Sequence, residues 1–328
     1  QARGSSAGEV RRGPWARPAA PPRLMRQHLV QDLRLLWRVL CRGAPGAAAE
    51  PPGPDGLLEP VFGRATELAC GALAALCREL AGGGQGRGPA AGTPQLEVFR
   101  STVALEEAPL GVRTTAEVGP GQLVGLYPGR IFQPDEANLP RSDMLYSNEY
   151  EGVYLDGKCW FPAHWRHSPV LAEQAAARST LWHGNRLAVG NLLNHPPKAA
   201  LPNCVPMAFR WPTWQELGEA SPAYWARLVP HVVVAGGRVV RTASGESAAA
   251  GGGQGDGQRV WFPPWPHMGV ALVAVRPVRP GGELFWNYRL HPRADATAAA
   301  EFPSWYAPVD DAEFEAAVAR ELDARPAA

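Results

Sequence analysis

The residues of this chain best equipped for chemistry fall in two segments far apart in sequence, LAVGNLLNHPP (Leu187 to Pro197) and GGELFWNYRL (Gly281 to Leu290). They bring side-chain amides, an imidazole, a carboxylate, a phenol and an indole. Two shorter pieces, GLYPGR (Gly125 to Arg130) and VYLDGK (Val153 to Lys158), add a tyrosine and an aspartate. Taken singly, each residue has an ordinary account. Tyr288 and Tyr127 read as core aromatics of apolar runs. Asn194 reads as a loop-start Asn before a proline turn, and Asp156 as the first residue of an Asp-Gly turn. Cys159, His164 and His167 have a spacing that suggests a metal, but they lack a convincing fourth ligand, so no metal site is expected.

Taken together and in order, the four pieces resemble the signature halves of SET-domain methyltransferases. The resemblance runs from roughly Gln95 to His291, about two-thirds of the chain. It implies a mainly β, α+β fold of small curved sheets, in which the Asn-His and Glu-Leu-x-x-x-Tyr segments cross in a knot-like arrangement beside S-adenosylmethionine. It also implies transfer of a methyl group to a lysine of a protein substrate, histone or non-histone. The alternative is a SET-derived module that binds a partner without turnover.

Carried over residue by residue, the resemblance implies catalytic roles for Tyr288 and Tyr127. Leu110, Gly111, Asn194, His195 and Asn203 are implied to hold the cofactor, and Trp286, Phe285 and Asp156 to line the substrate channel. Glu283 is implied to be structural. Two departures stand out. The usual Gly-x-Gly appears as Pro109-Leu110-Gly111, and no cysteine follows Cys204 in these 328 residues, so the zinc-binding Cys-rich tail of many relatives is not expected here. Trp305 and Tyr306 are expected to form an aromatic lid or to pack under a C-terminal helix. Methyl transfer to an amine is an in-line displacement, so the protein must align two reactants, exclude water and receive a neutral amine. That requires little acid–base machinery.

The elements that must position these residues follow from pattern. Residues 1–23 are Gly/Pro/Arg/Ala-rich and expected to be a disordered tail. Residues 24–94 read as a helical extension and a Gly/Pro linker. Its first helix, Leu24 to Arg42, carries Leu29, Leu33, Leu36 and Leu40 on one stripe. Its second is capped by Asp55, with Leu68, Ala72, Leu73, Leu76 and Leu80 as its stripe. The two helices are expected to pack together or against the core. Residues 95–291 form the β-rich domain, with strands at Leu123–Leu126, Val153–Leu155, Val205–Phe209 and Val270–Val275. The Gly/Ala/Ser-rich stretch 236–257 reads as a flexible surface insertion. Residues 292–328 form a tail with a helix around Ala312 to Leu322.

Composition sets the outer bounds. The chain has 328 residues, 45% of them hydrophobic, which is enough for a sizeable core. A net charge of +1 argues against a strongly basic nucleic-acid binder. Only Lys158 and Lys198 are lysines, so nearly all positive charge is arginine. The five cysteines are odd in number, with no Cys-x-x-Cys, and fit a reducing intracellular compartment, nucleus or cytoplasm. The Arg-rich, acid-poor first forty-two residues also admit a mitochondrial transit peptide, the lesser reading. No window of eighteen apolar residues suggests a membrane span.

Overall fold

The computed structural model describes residues 22–41, 51–81, 94–101, 103, 110–132, 145–148, 153–158, 160–162, 181–212, 228–229, 231–235, 238–242, 268–290 and 305–324. The architecture is α+β, with three helices and several small sheets among these residues. No helix among them is long and apolar enough to cross a membrane.

Helix α1 spans Pro22–Leu40 and α2 spans Pro54–Ala81. Both begin on proline, which suits a first helical position because its φ is preset and its missing N–H has no partner there. For this reason α1 starts two residues before Leu24, inside the stretch expected to be a tail. Asp55 likewise lies within the first turn of α2 and does not precede it. The predicted stripe of α1 is present, but Leu35 and Trp37 are buried as well. The stripe is wide because α1 meets α2, the strand Cys204–Arg210 and the C-terminal helix. The buried face of α2 is Leu57, Val61, Ala65, Ala69, Leu73 and Leu76. Leu68 and Ala72 sit at its half-buried margin, a modest rotation from the predicted stripe.

The centre is a three-stranded antiparallel sheet in the order β3 (Leu123–Leu126), β12 (Met268–Ala274) and β9 (Cys204–Arg210). Alternation along β12 divides its side chains between two cores. Ala271 and Val273 face α1 and α2 with Val205, Met207 and Phe209. Val270, Leu272 and Ala274 face the other way with Tyr127, Val189, Leu193 and Trp286.

Around this centre lie three further sheets. Strands β1 (Leu96–Arg100) and β2 (Leu110–Thr114) pair antiparallel. Strands β7 (Trp160–Pro162) and β8 (Leu181–His183) pair parallel. A five-stranded sheet runs β11-β10-β4-β6-β5. It is built from β4 (Gly129–Phe132), β5 (Leu145–Asn148), β6 (Val153–Asp156), β10 (His231–Ala235) and β11 (Arg238–Thr242).

Strand β11 corrects the expectation for 236–257. Val239 pairs with Val234 and Arg241 with Val233, so the stretch opens as a sheet strand. Arg-Val-Val-Arg-Thr carries two β-branched valines before the Ala/Ser/Gly run begins, and these favour an extended chain. Residues 243–257 lie outside the described residues, as do 1–21, the 82–93 linker, Pro109, Cys159, His164 and His167. The C-terminal helix, α3, spans Asp311–Asp323. Asp310 caps it, its carboxylate accepting from the amides of Ala312 and Glu313.

Candidate functional site

The two distant segments meet. A 3₁₀ turn at Gly190–Leu192 delivers the chain to Leu193, Asn194 and His195. The turn lies close against β3 and β12. A Cβ on Gly190 would stand 2.7 Å from Leu272 Cδ1 and 3.0 Å from Tyr127 Cα, so only glycine fits. The second segment leaves a turn at Gly281–Gly282, and Leu284 N–H donates to Val112 O over 2.8 Å. It then runs between Asn194 on one side and Asn203 and Cys204 on the other, with parallel bridges from Phe285 to Asn194 and from Trp286 to Cys204.

Side-chain amides reinforce this crossing. Asn203 imitates a peptide group: its Nδ2 donates to Glu283 O at 2.8 Å and its Oδ1 accepts from Phe285 N–H at 2.8 Å. Asn194 Nδ2 donates to Leu110 O and to Glu283 Oε1, both at 3.0 Å. Asn194 O accepts from Trp286 N–H at 3.1 Å. Gly111 belongs to the same knot of contacts. A Cβ there would stand 2.4 Å from Glu283 Oε1 and 2.9 Å from Ser101 Cβ. The bare face of Gly111 is therefore occupied by Glu283, whose structural role is plain.

Beyond the crossing, the aromatic residues gather. The Tyr288 hydroxyl donates to Leu193 O at 2.8 Å, and Trp286 Nε1 donates to the same carbonyl at 3.3 Å. The Trp286 ring meets Tyr127 edge-on at 6.4 Å and lies 5.2 Å from Tyr288. His195 stacks on Tyr306 at 4.4 Å, with Trp305 edge-on at 6.5 Å. Trp305 also meets the Tyr288 ring at 6.2 Å. The C-terminal aromatics thus fold back over the crossing.

The protonation of His195 follows from its contacts. Nε2 lies 2.7 Å from Ala307 O, and Nδ1 accepts from Tyr288 N–H at 3.3 Å. This assigns the neutral Nε2–H tautomer. Burial lowers its pKa below the ordinary histidine value, and the bond to Ala307 opposes that only in part. Burial likewise pushes the Cys204 thiol up, so it stays protonated and unreactive.

The remaining expected residues are placed differently. Asp156 is buried at the end of β6, and its Oδ1 accepts from Lys158 N–H at 3.1 Å, as an Asp-Gly turn requires. The turn still borders the cluster, since Gly157 packs against the Tyr127 ring and Asn191. Phe285 bonds through its backbone to the Asn203–Cys204 side: its N–H donates to Asn203 Oδ1, and its carbonyl accepts from the amides of Asn203 and Cys204. Alternation turns its ring away from Leu284, Trp286 and Tyr288.

Two contributors were not foreseen. Asn191 Nδ2 donates to Gly157 O at 2.8 Å and Trp160 O at 2.9 Å, tying the Asp156–Gly157 turn to the site. The sequence signal was the first Asn of Gly-Asn-Leu-Leu-Asn. Arg289 reaches Asp32 and Asp311, partners too distant in sequence to leave a local pattern.

No protein-family model matches the chain, and no curated protein matches it. Among solved structures it is similar to ctPRC2 in an autoinhibited conformation bound to S-adenosylmethionine. That match has 15% identity and a TM-score of 0.29, and covers 60% of this chain and 15% of that one. It is also similar to a humanized mutant of the Chaetomium thermophilum Polycomb Repressive Complex 2 bound to an inhibitor. Here identity is 15%, the TM-score is 0.30, and coverage is 68% of this chain and 19% of the other. The chain therefore spans less than a fifth of the chains it matches. At such scores these matches add no weight, and any reading of the site rests on its own residues.

Proposed function

We propose that the chain is a SET-domain protein, of a branch resembling SET domain-containing protein 9 in its runs VGLYPGRIFQPDE, LAVGNLLN, RLVPHVVV and VALVAVRPVRPGGELFWNY. In this reading it transfers a methyl group from S-adenosylmethionine to a lysine amine of an intracellular protein, in the nucleus or cytoplasm. The observation that carries the reading is the passage of Glu283–Tyr288 between Asn194 and Asn203, which ends with Tyr288 in an aromatic enclosure. The motif order in sequence and this crossing in space support the same knot-like fold.

The residues fit the cofactor in chemical type. A sulfonium is a cation, and the faces of Tyr127, Trp286 and Tyr288 attract cations. Leu110, Gly111, Asn194 and His195 would hold it, largely by backbone, because the amides of Asn194 and Asn203 already bond within the chain. When bound, S-adenosylmethionine supplies an electrophilic methyl group. Tyr288 donates its proton to Leu193 O, which fixes the hydroxyl beside the aromatic cluster, where it would position an incoming amine. Loss of hydration around a bound amine, whose unperturbed pKa is about 10.4, would disfavour its ammonium form and so favour the neutral nucleophile.

The same contacts favour one competitor. The engaged side chains of Asn194 and Asn203 and the filled space beside Gly111 suit a module whose crossing is purely structural and whose surface binds a protein partner. A titration of the full chain with S-adenosylmethionine separates the two. The enzyme reading expects thermal stabilisation equivalent to about 2.7 kcal/mol at a hundredfold excess over Kd. It also expects labelled methyl incorporation into a protein or peptide library. No shift at millimolar cofactor moves the assignment to the binding module.

A further inference from the structure

Tyr288 is followed by a residue that the proposed chemistry does not use. Arg289 has φ +49°, in the left-handed region that side chains other than glycine seldom adopt. Such a conformation persists only where its surroundings over-determine it. They do so here. Three successive amides are held by side chains: Tyr288 N–H by His195 Nδ1, Arg289 N–H by Asn287 Oδ1 at 3.0 Å, and Leu290 N–H by the Tyr306 hydroxyl at 3.1 Å.

The guanidinium is largely buried and gripped from two helices. Nη1 donates to Asp311 of α3, at 3.2 Å to Oδ1 and 3.0 Å to Oδ2. Nη2 donates to Asp32 of α1 at 2.5 Å. Side-chain exposure is 14% for Arg289, 16% for Asp32 and 27% for Asp311, so solvent offers little substitute for a missing partner. A guanidinium in such a place keeps its geometry only while both counter-charges stay.

Ion groups of this kind often do no more than staple elements together. That duty is already met here, because α1 packs Leu33, Leu36 and Trp37 into the main core. Arg38 adds a contact to Glu315 of α3 at 3.4 Å. What distinguishes the triad is its attachment one residue from Tyr288, through the residue whose backbone makes the left-handed turn. Resting on the reading of Tyr288 given above, we infer that Arg289, Asp32 and Asp311 form the positioning device for the Tyr288 hydroxyl. Helices α1 and α3 are then working parts of the site and not appended arms.

The test uses the full chain with fluorotyrosine at position 288. Asp32→Asn keeps size and removes charge. It should lower the methyl-transfer kcat about tenfold, in keeping with the cost of small misplacements, while the cofactor KM stays within about twofold. It should also displace the fluorine NMR resonance of residue 288. Asp32→Glu, which restores the charge, should recover most of both. Arg38→Ala weakens the same helix–helix interface without touching Arg289 and should leave the resonance in place.

If Asp32→Asn proves unstable, Asp311→Asn removes the other half of the grip and should give the same displacement. The inference is overturned if neither asparagine variant moves the resonance or if Arg38→Ala moves it equally. It is also overturned if both asparagine variants unfold, since the triad is then only a staple. Should the wild-type chain transfer no methyl group, the enzymatic reading fails, and the resonance still decides the positioning role.

Discussion

The two faces of β12 are built on opposite principles. Toward the helices, Ala271 and Val273 meet an apolar interior of Leu33, Leu36, Leu57, Val61 and Phe209. Toward the site, Val270 and Leu272 underlie segments held by hydrogen bonds from Asn191, Asn194, Asn203, Trp286 and Tyr288. Apolar burial is non-directional and tolerates any close packing of the right volume. Side-chain bonds to backbone are directional and fix where individual atoms lie. The molecule therefore assigns bulk stability to one face and atomic placement to the other.

The sharpest way to break that division is to damage each face alone. Leu36 is fully buried between the helices and β9. Leu36→Ala should cost about 3 kcal/mol of unfolding free energy. Urea denaturation measures it, and the fraction still folded should keep wild-type cofactor affinity. A matching loss of affinity in folded protein would show that the faces are not independent.

Tyr288→Phe tests the other face. It should slow turnover about one hundredfold, or roughly 2.7 kcal/mol in the barrier. Stability should fall by only about 1 kcal/mol, from loss of the bond to Leu193 O. Paired measurements of cofactor affinity and methyl incorporation read both quantities. Wild-type turnover in this variant removes Tyr288 from the chemistry.

The comparison also explains what the sequence disclosed. The helix face was legible from Leu29, Leu33, Leu36 and Leu40, because burial follows helical periodicity. The strands at Leu123–Leu126 and Val205–Phe209 were legible as apolar runs. The crossing was legible only through its motifs, because Asn203 and Glu283 meet across eighty residues and no local pattern encodes such a pairing. The Asp32–Arg289 contact, across 257 residues, left no trace for the same reason. The strand at Arg238–Thr242 was hidden for a different reason: two valines were outweighed by the Gly/Ala/Ser run beside them.

Gly111→Ala probes the seam between chemistry and packing. The added methyl meets Glu283 Oε1 and Ser101 Cβ at distances no real Cβ tolerates, so β2 or Glu283 must shift. Overpacking of this kind should cost about 2 kcal/mol. Because Glu283 Oε1 accepts from Asn194, the shift should reach the crossing and weaken cofactor binding as well. Full stability in this variant would mean that the seam is looser than its contacts indicate. Lost stability with unchanged cofactor affinity would place cofactor contact elsewhere.

The smallest expected effect is one of pH, and its sign distinguishes the faces again. His195 is held as the neutral tautomer, donating from Nε2 to Ala307 O and accepting at Nδ1 from Tyr288 N–H. Protonation of Nδ1 would set one donor against another. Burial lowers the folded-state pKa below the unfolded value of about 6.5. Between those two pKa values the unfolded chain binds more protons than the folded chain, so stability rises with pH in that window. The contribution of His195 is complete above about pH 6.5 and is lost as pH falls through the folded pKa. His195→Phe keeps a ring against Tyr306 but cannot titrate. The variant should be less stable than wild type near neutrality, and the gap should narrow on acidification, because only the wild type then carries the penalty of a buried imidazolium. Urea midpoints of both proteins at about pH 7.5 and about pH 5 fall on either side of the unfolded value. Leu36 carries no titratable group, so Leu36→Ala should show the same stability deficit at both pH values. A gap between wild type and His195→Phe that also stays constant would mean that His195 does not titrate as its contacts require.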